Sequence, residues 1–164
     1  MFDPEILALV RSVLALCRAR RWRLATAESC TGGLVAAALT ATAGASDVVE
    51  CGLLTYSNKT KIELLGVPQE TIAAQGAVSA EAAAAMAQGA VARARVDLAV
   101  SVTGIAGPGG GTPQKPVGLV YIGVATGAGT ARVERRIFPG DRGEVRRAAL
   151  RLALELLQEA ARGG

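Results

Sequence analysis

Helix-type and strand-type patterns alternate along the first two thirds of this chain, and two adjacent strand patterns close the alternation. Asp3-Pro4 opens a helix, with Asp as N-cap and Pro at the first helical position. That helix runs to about Arg20, with Ile6, Leu9, Val10, Val13, Leu14 and Cys17 on one face. A short strand over 23–28 and a helix from about Thr31 to Thr42 follow. Next come a strand over 48–56 and a short helix from Asn58 to Leu65, stopped by Gly66 and Pro68. Ser79 caps an alanine-rich helix to about Ala94, and Asp97–Thr103 is an apolar run of the fully buried kind. Beyond a glycine- and proline-rich loop, Gly104–Pro116, the segments 117–126 and 131–138 flank Gly127-Ala128-Gly129 as a hairpin. The last helix starts at Asp141, with Glu144 completing a capping box. Its apolar stripe is Val145, Ala148, Ala149, Leu152 and Leu156. Early alternation with a late hairpin predicts a three-layer α/β/α sandwich around a mixed sheet. The 164 residues suit one domain, 1–164, with no linker and no internal repeat.

Several function classes drop out on composition. The chain has no histidine, so neither a Ser-His-Asp triad nor a histidine-bearing metal site can be built from it. Cys17, Cys30 and Cys51 are odd in number and show no Cys-x-x-Cys spacing, which argues against a disulfide framework or structural zinc. A reduced, cytoplasmic protein is expected. No apolar run reaches a membrane span, and the N-terminus reads as an amphipathic helix, not a secretory leader. The net charge of +4 is compatible with nucleic acid or an anionic metabolite, and a solvated surface is the plain alternative. Arginines scattered among acids, with almost no aromatics, do not form a nucleic-acid track. Of eighteen basic residues only Lys59, Lys61 and Lys115 are lysine.

In open α/β sheets, ligands bind beyond the carboxyl ends of the strands. Glu28-Ser29, Tyr56 and Thr103-Gly104 stand at three such ends. Ser29 falls on a strand-to-helix turn, where amides of the helix start could hold an oxyanion and Gly32 and Gly33 would admit close approach. A plain helix cap explains the same residues. Cys30 is a rival nucleophile, although a buried thiol is its commoner state. Without histidine, a neutral lysine is the recurrent base. Lys59 and Lys61 both qualify by spacing, and burial or a neighbouring cation would lower either pKa. Tyr56 could relay a proton or serve as an ordinary strand aromatic. The glycines of 104–111 free amides for a phosphate or carboxylate, but the loop is not a Walker A loop. Arg142 opposes the dipole at the first position of the last helix, which suits an anion bound beside it; an ion pair with Asp141 or Glu144 is the plain alternative.

The blocks Ala27-Glu-Ser-Cys-Thr-Gly-Gly33, Thr55-Tyr-Ser-Asn-Lys-Thr-Lys61, Thr103-Gly-Ile-Ala-Gly-Pro-Gly-Gly110, Lys115-Pro-Val-Gly118 and Phe138-Pro-Gly-Asp-Arg142 occur in that order. Together they resemble the CinA C-terminal domain family, over about residues 5 to 160. The resemblance implies a nicotinamide mononucleotide amidase in its stand-alone form, which makes nicotinate mononucleotide and ammonia. It implies Ser29 as nucleophile, Lys61 as base and Tyr56 as helper. It also implicates Thr103 and Arg142, and the full set of expected substrate contacts is Cys30, Thr31, Gly32, Gly33, Asn58, Thr103, Gly104, Ala106, Gly107 and Arg142. The expected partner is a pyridine mononucleotide, with no cofactor and no metal. A homo-oligomer is compatible with the alanine-rich helix, whose expected target is its own sheet. A non-catalytic nucleotide-binding or interaction module linked to competence or DNA damage is the alternative, as is an amidase or esterase for another small substrate.

Overall fold

The computed structural model describes residues 1–127 and 129–163. One five-stranded sheet has the order β2-β1-β3-β4-β5. Its strands are β1 (Leu24–Glu28), β2 (Val49–Leu54), β3 (Leu98–Gly104), β4 (Leu119–Thr126) and β5 (Ala131–Ile137). β2, β1 and β3 are parallel; β4 and β5 run antiparallel beside them. The mixed sheet and the α/β class follow the sequence pattern. Of the hairpin turn, Ala128 lies outside the described residues, while its two strands pair as expected.

Helices cover both faces. α1 (Pro4–Ala19), α2 (Leu34–Thr40) and α6 (Arg142–Arg162) pack together on one side. α3 (Asn58–Leu65), α4 (Gln69–Gln75) and α5 (Ala80–Ala94) pack together on the other. The strand period of two explains how one strand serves two cores. Leu98, Val100 and Val102 of β3 join the core under α1, α2 and α6, whereas Ala99 joins the core under α5. β1 divides likewise, with Leu24 on the first side and Ala25 and Ala27 on the second. The alanine-rich face of α5 does lie on its own sheet. A Cβ on Gly123 of β4 would stand 2.6 Å from the Ala83 carbonyl oxygen, so this glycine sets how closely α5 approaches.

The caps follow local chemistry. Asp3 accepts from the Ile6 amide at 2.8 Å, and Asp141 and Glu144 form a reciprocal capping box on α6. The α6 stripe is wider than expected: beside Val145, Ala149 and Leu156, the residues Leu150, Ala153, Leu154, Leu157 and Ala161 are buried, while Ala148 and Leu152 at its edge are half-buried, because the helix is wedged between the sheet and α1. Two elements depart from the sequence pattern. α2 begins at Leu34 rather than Thr31, since Gly32 and Gly33 take positive φ of 62° and 92° and delay the helix by a turn. α4 was not foreseen; it buries no side chain and therefore leaves no periodic signal. No helix among the described residues is long and apolar enough to cross a membrane.

Candidate active site

The carboxyl ends of β1, β2 and β3 open into one crevice of about 290 Å³. Its walls come from four places. Ser29 and Cys30 follow β1; Tyr56, Asn58 and Lys61 follow β2; Thr103 and Gly104 end β3, with Ile105, Ala106, Gly107, Gly109 and Gly110 beyond it; Arg142 reaches in from the start of α6. Ala77 and Val78, just before α5, complete the rim; neither was singled out by the sequence pattern. A larger hollow of about 540 Å³ lies between β4, β5 and the end of α6, but it contains no nucleophile paired with a base. Chemistry, not size, picks the smaller crevice.

Ser29 extends the β1 ladder, its amide donating to the Val102 carbonyl at 2.9 Å. Its hydroxyl oxygen lies 3.0 Å from Lys61 Nζ. That nitrogen also sits 2.9 Å from the Thr55 carbonyl and 3.3 Å from the Tyr56 carbonyl. Lys61 is only 1% exposed, and burial pulls its pKa below the ordinary lysine value. A neutral amine has two N–H bonds and one lone pair. An ammonium would donate to all three oxygens; the neutral amine would donate to the two carbonyls and accept from the Ser29 hydroxyl. The helix places it: Ser57 caps α3 by accepting from the Thr60 amide, so Lys61 and Leu65 share the inward face. Lys59 points outward, where it pairs loosely with Glu63 at 3.8 Å.

The remaining expected residues divide in two. Cys30, Tyr56, Asn58, Thr103, Gly104, Ala106, Gly107 and Arg142 line the crevice. Arg142 does not pair with Asp141 or Glu144; it donates to the Gly107 carbonyl at 2.8 Å and to the Tyr56 phenol oxygen at 3.0 Å. The phenol is thus engaged by arginine, and Lys61 reaches Ser29 with no phenol between them. Thr103 uses its hydroxyl on the Ala77 carbonyl at 2.7 Å, which fixes the rim. The Cys30 thiol is pushed up to about 11 by burial, so it stays protonated near neutrality.

Thr31, Gly32 and Gly33 do not line the crevice. This corrects the expectation that the helix start faces the ligand. The physical reason is Glu28, whose carboxylate is 1% exposed and accepts from the amides of Val35 at 3.0 Å and Ala36 at 2.8 Å. The N-terminus of α2 is therefore already occupied by an internal anion. The strand period gave the missed signal: Glu28 shares the face of Leu24, toward α2, where a carboxylate needs a partner. Within the turn, the Gly32 amide donates to the Ser29 carbonyl at 2.9 Å. The Cys30 amide donates to no other residue among the described ones; it lies against its own thiol sulfur and belongs to a residue on the crevice wall.

The crevice lining carries Lys61 and Arg142 and no carboxylate. Among the described residues, no group of three or more His, Cys, Asp or Glu side chains could hold a metal ion. With this geometry in place, comparison with known proteins decides the family. The model of the CinA C-terminal domain matches residues 7–161. The chain belongs to the CinA C-terminal domain family. It is 47% identical over 157 residues to the nicotinamide-nucleotide amidohydrolase PncC of Escherichia coli, covering 96% of this chain and 95% of that protein. It is 52% identical over 157 residues to a CinA-like protein of Mycolicibacterium gilvum, covering 96% of this chain. The chain spans only 37% of the length of that relative. Among solved structures, the competence/damage inducible protein CihA of Agrobacterium tumefaciens matches with a TM-score of 0.94 at 45% identity, covering 99% of this chain and 98% of the other.

Proposed function

We propose that residues 1–164 act as one amidase unit that hydrolyses the carboxamide of nicotinamide mononucleotide, with Ser29 as nucleophile and Lys61 as base. The observation that carries this reading is the buried Lys61 amine 3.0 Å from the Ser29 hydroxyl oxygen, held there by the Thr55 and Tyr56 carbonyls. The likeness to a nicotinamide-nucleotide amidohydrolase over nearly the whole of both chains supports the substrate.

The route needs only this pair. Lys61 takes the Ser29 proton as the oxygen attacks the carboxamide carbon. The tetrahedral oxyanion is held by the Cys30 amide. Lys61, now an ammonium, gives its proton to the leaving nitrogen, and ammonia departs. The resulting ester on Ser29 is attacked by a water that the neutral amine deprotonates. Collapse returns the proton to Ser29 and frees the carboxylate product. Arg142 supplies the fixed positive charge for the nucleotide phosphate, and the amides of the Gly104–Gly111 loop assist. Asn58 and the Thr103-fixed rim border the ring.

Ammonia release should be measured on nicotinamide mononucleotide, free nicotinamide and nicotinamide dinucleotide, with wild type and Ser29→Ala. The mononucleotide should turn over fastest, and Ser29→Ala should be inactive while folded. Binding of mononucleotide without turnover would favour a non-catalytic module. Faster turnover of a substrate lacking phosphate would overturn the assigned role of Arg142.

A further inference from the structure

Arg146 lies one helical turn beyond Arg142 on α6 and takes no part in the route above. Its Nη2 donates to the Thr31 carbonyl oxygen at 2.9 Å, beneath the turn that carries Ser29. Its Nε is buried without a hydrogen-bond partner. None of the ion pairs among the described residues includes it. Its charge is thus left without a carboxylate, and one arm of the guanidinium, Nη2, meets a single peptide group.

That peptide group leads to the site. The Thr31 carbonyl and the Gly32 amide belong to one peptide unit. The Gly32 amide donates to the Ser29 carbonyl at 2.9 Å. The Ser29 carbonyl and the Cys30 amide form the next unit. Arg146 therefore sits at the head of a chain of two hydrogen bonds through two peptide units, and the last member is the Cys30 N–H. Hydrogen bonds in series polarise one another, and a charged donor at the head strengthens the effect. The turn also has no slack around the guanidinium, since a Cβ on Gly32 would lie 3.2 Å from Arg146 Nη2. Burial dominates the Cys30 thiol and pushes it up to about 11, and the Arg146 charge acts against that rise.

We propose that Arg146 is a positioning residue for the oxyanion donor: through the Thr31 and Ser29 peptide units it aims and polarises the Cys30 amide for the tetrahedral intermediate. This role rests on the serine–lysine reading and adds a second tier to it. Arg142 holds the substrate anion from within the crevice, and Arg146 holds the turn from behind.

The test compares Arg146→Met, Arg146→Lys and Ser29→Ala in ammonia release from nicotinamide mononucleotide, with active sites counted by the initial acylation burst. Removing an oxyanion donor outright costs about 10²- to 10³-fold in kcat. Arg146→Met, which weakens the donor without deleting it, should lose about tenfold to a hundredfold in kcat per active site with KM within about twofold. Arg146→Lys should fall between, and added guanidinium ion should restore part of the Arg146→Met rate. Unchanged kcat per active site in both variants, with only a lower melting temperature or a raised KM, would overturn the role. If Arg146→Met does not fold, Arg146→Lys with the same kcat and KM split decides. Ammonia release that survives in Ser29→Ala would instead overturn the serine–lysine reading, and the oxyanion role with it.

Discussion

Replacing Lys61 by methionine should uncouple stability from activity, in a way that depends on pH. The methionine fills much of the same volume but brings no charge and no donors. Two hydrogen bonds to the Thr55 and Tyr56 carbonyls are lost, a cost of about 1 kcal/mol each. Against this stands the expense of the buried amine in its charged form. In the unfolded chain lysine titrates near 10.4, a value of about the ordinary size. Burial holds the folded value lower. Between the two pKa values the unfolded chain binds more protons, so the wild type gains stability as pH rises through that window. Below the folded pKa both states are protonated and the full cost of the buried ammonium remains. Above the unfolded pKa both are neutral and that cost is gone. Each unit of depression is worth about 1.4 kcal/mol. Urea unfolding of both proteins at a series of pH values from about 6 to 9.5 isolates this group, because every other titration cancels in the difference. The wild type should gain on Lys61→Met as pH rises, while the variant loses about a thousandfold in kcat, within the range of general-base contributions. A stability difference that is flat or falls with pH would mean that the amine is charged and well paired in the folded state, and the argument for a neutral base would fail.

Three other outcomes follow from the packing and charges. Glu28→Ala should destabilise the fold by about 3 kcal/mol in urea melts, because the Val35 and Ala36 amides lose a buried charged acceptor; a loss under about 0.5 kcal/mol would contradict its role as the cap of α2. Lys59→Ala should leave ammonia release unchanged and stability within about 0.5 kcal/mol, since its pairing with Glu63 is loose and exposed. Iodoacetamide at pH 8 should label Cys30 far more slowly than a free cysteine, as its thiol is pushed up to about 11, and mass spectrometry of the labelled peptide reads this directly.

The fold was legible wherever one residue type dictates local geometry. Asp3-Pro4, the Asp141–Glu144 capping box and the apolar run of β3 each carry their reason within a few residues. α4 was not legible because Gln69–Gln75 packs no buried side chain, leaving no period to read. The candidate site was legible as an address. Ser29, Lys61, Thr103 and Arg142 were placed at strand and helix ends, and those ends do converge. What lay beyond the sequence was direction. Nothing local distinguishes Lys59 from Lys61; the helix phase turns one toward Ser29 and the other to solvent. The strand period puts Glu28 on the face toward α2, but nothing local says which amides it meets there, or that Arg146 reaches the Thr31 carbonyl across 115 positions of chain. Such facts come from tertiary packing, which sequence period and motif spacing do not encode.

The central claim is that an uncharged lysine stands against the serine at working pH. With only three lysines in the chain, Lys59, Lys61 and Lys115, the ε-carbon resonances of a carbon-13-labelled sample can be followed individually through a pH titration. Lys59, exposed and loosely paired, is the internal control. Lys61 should titrate clearly below the ordinary lysine value, and kcat/KM should rise with the same pKa. A Lys61 resonance that titrates at or above the ordinary lysine value, in an enzyme that is still active at neutral pH, would contradict a neutral base.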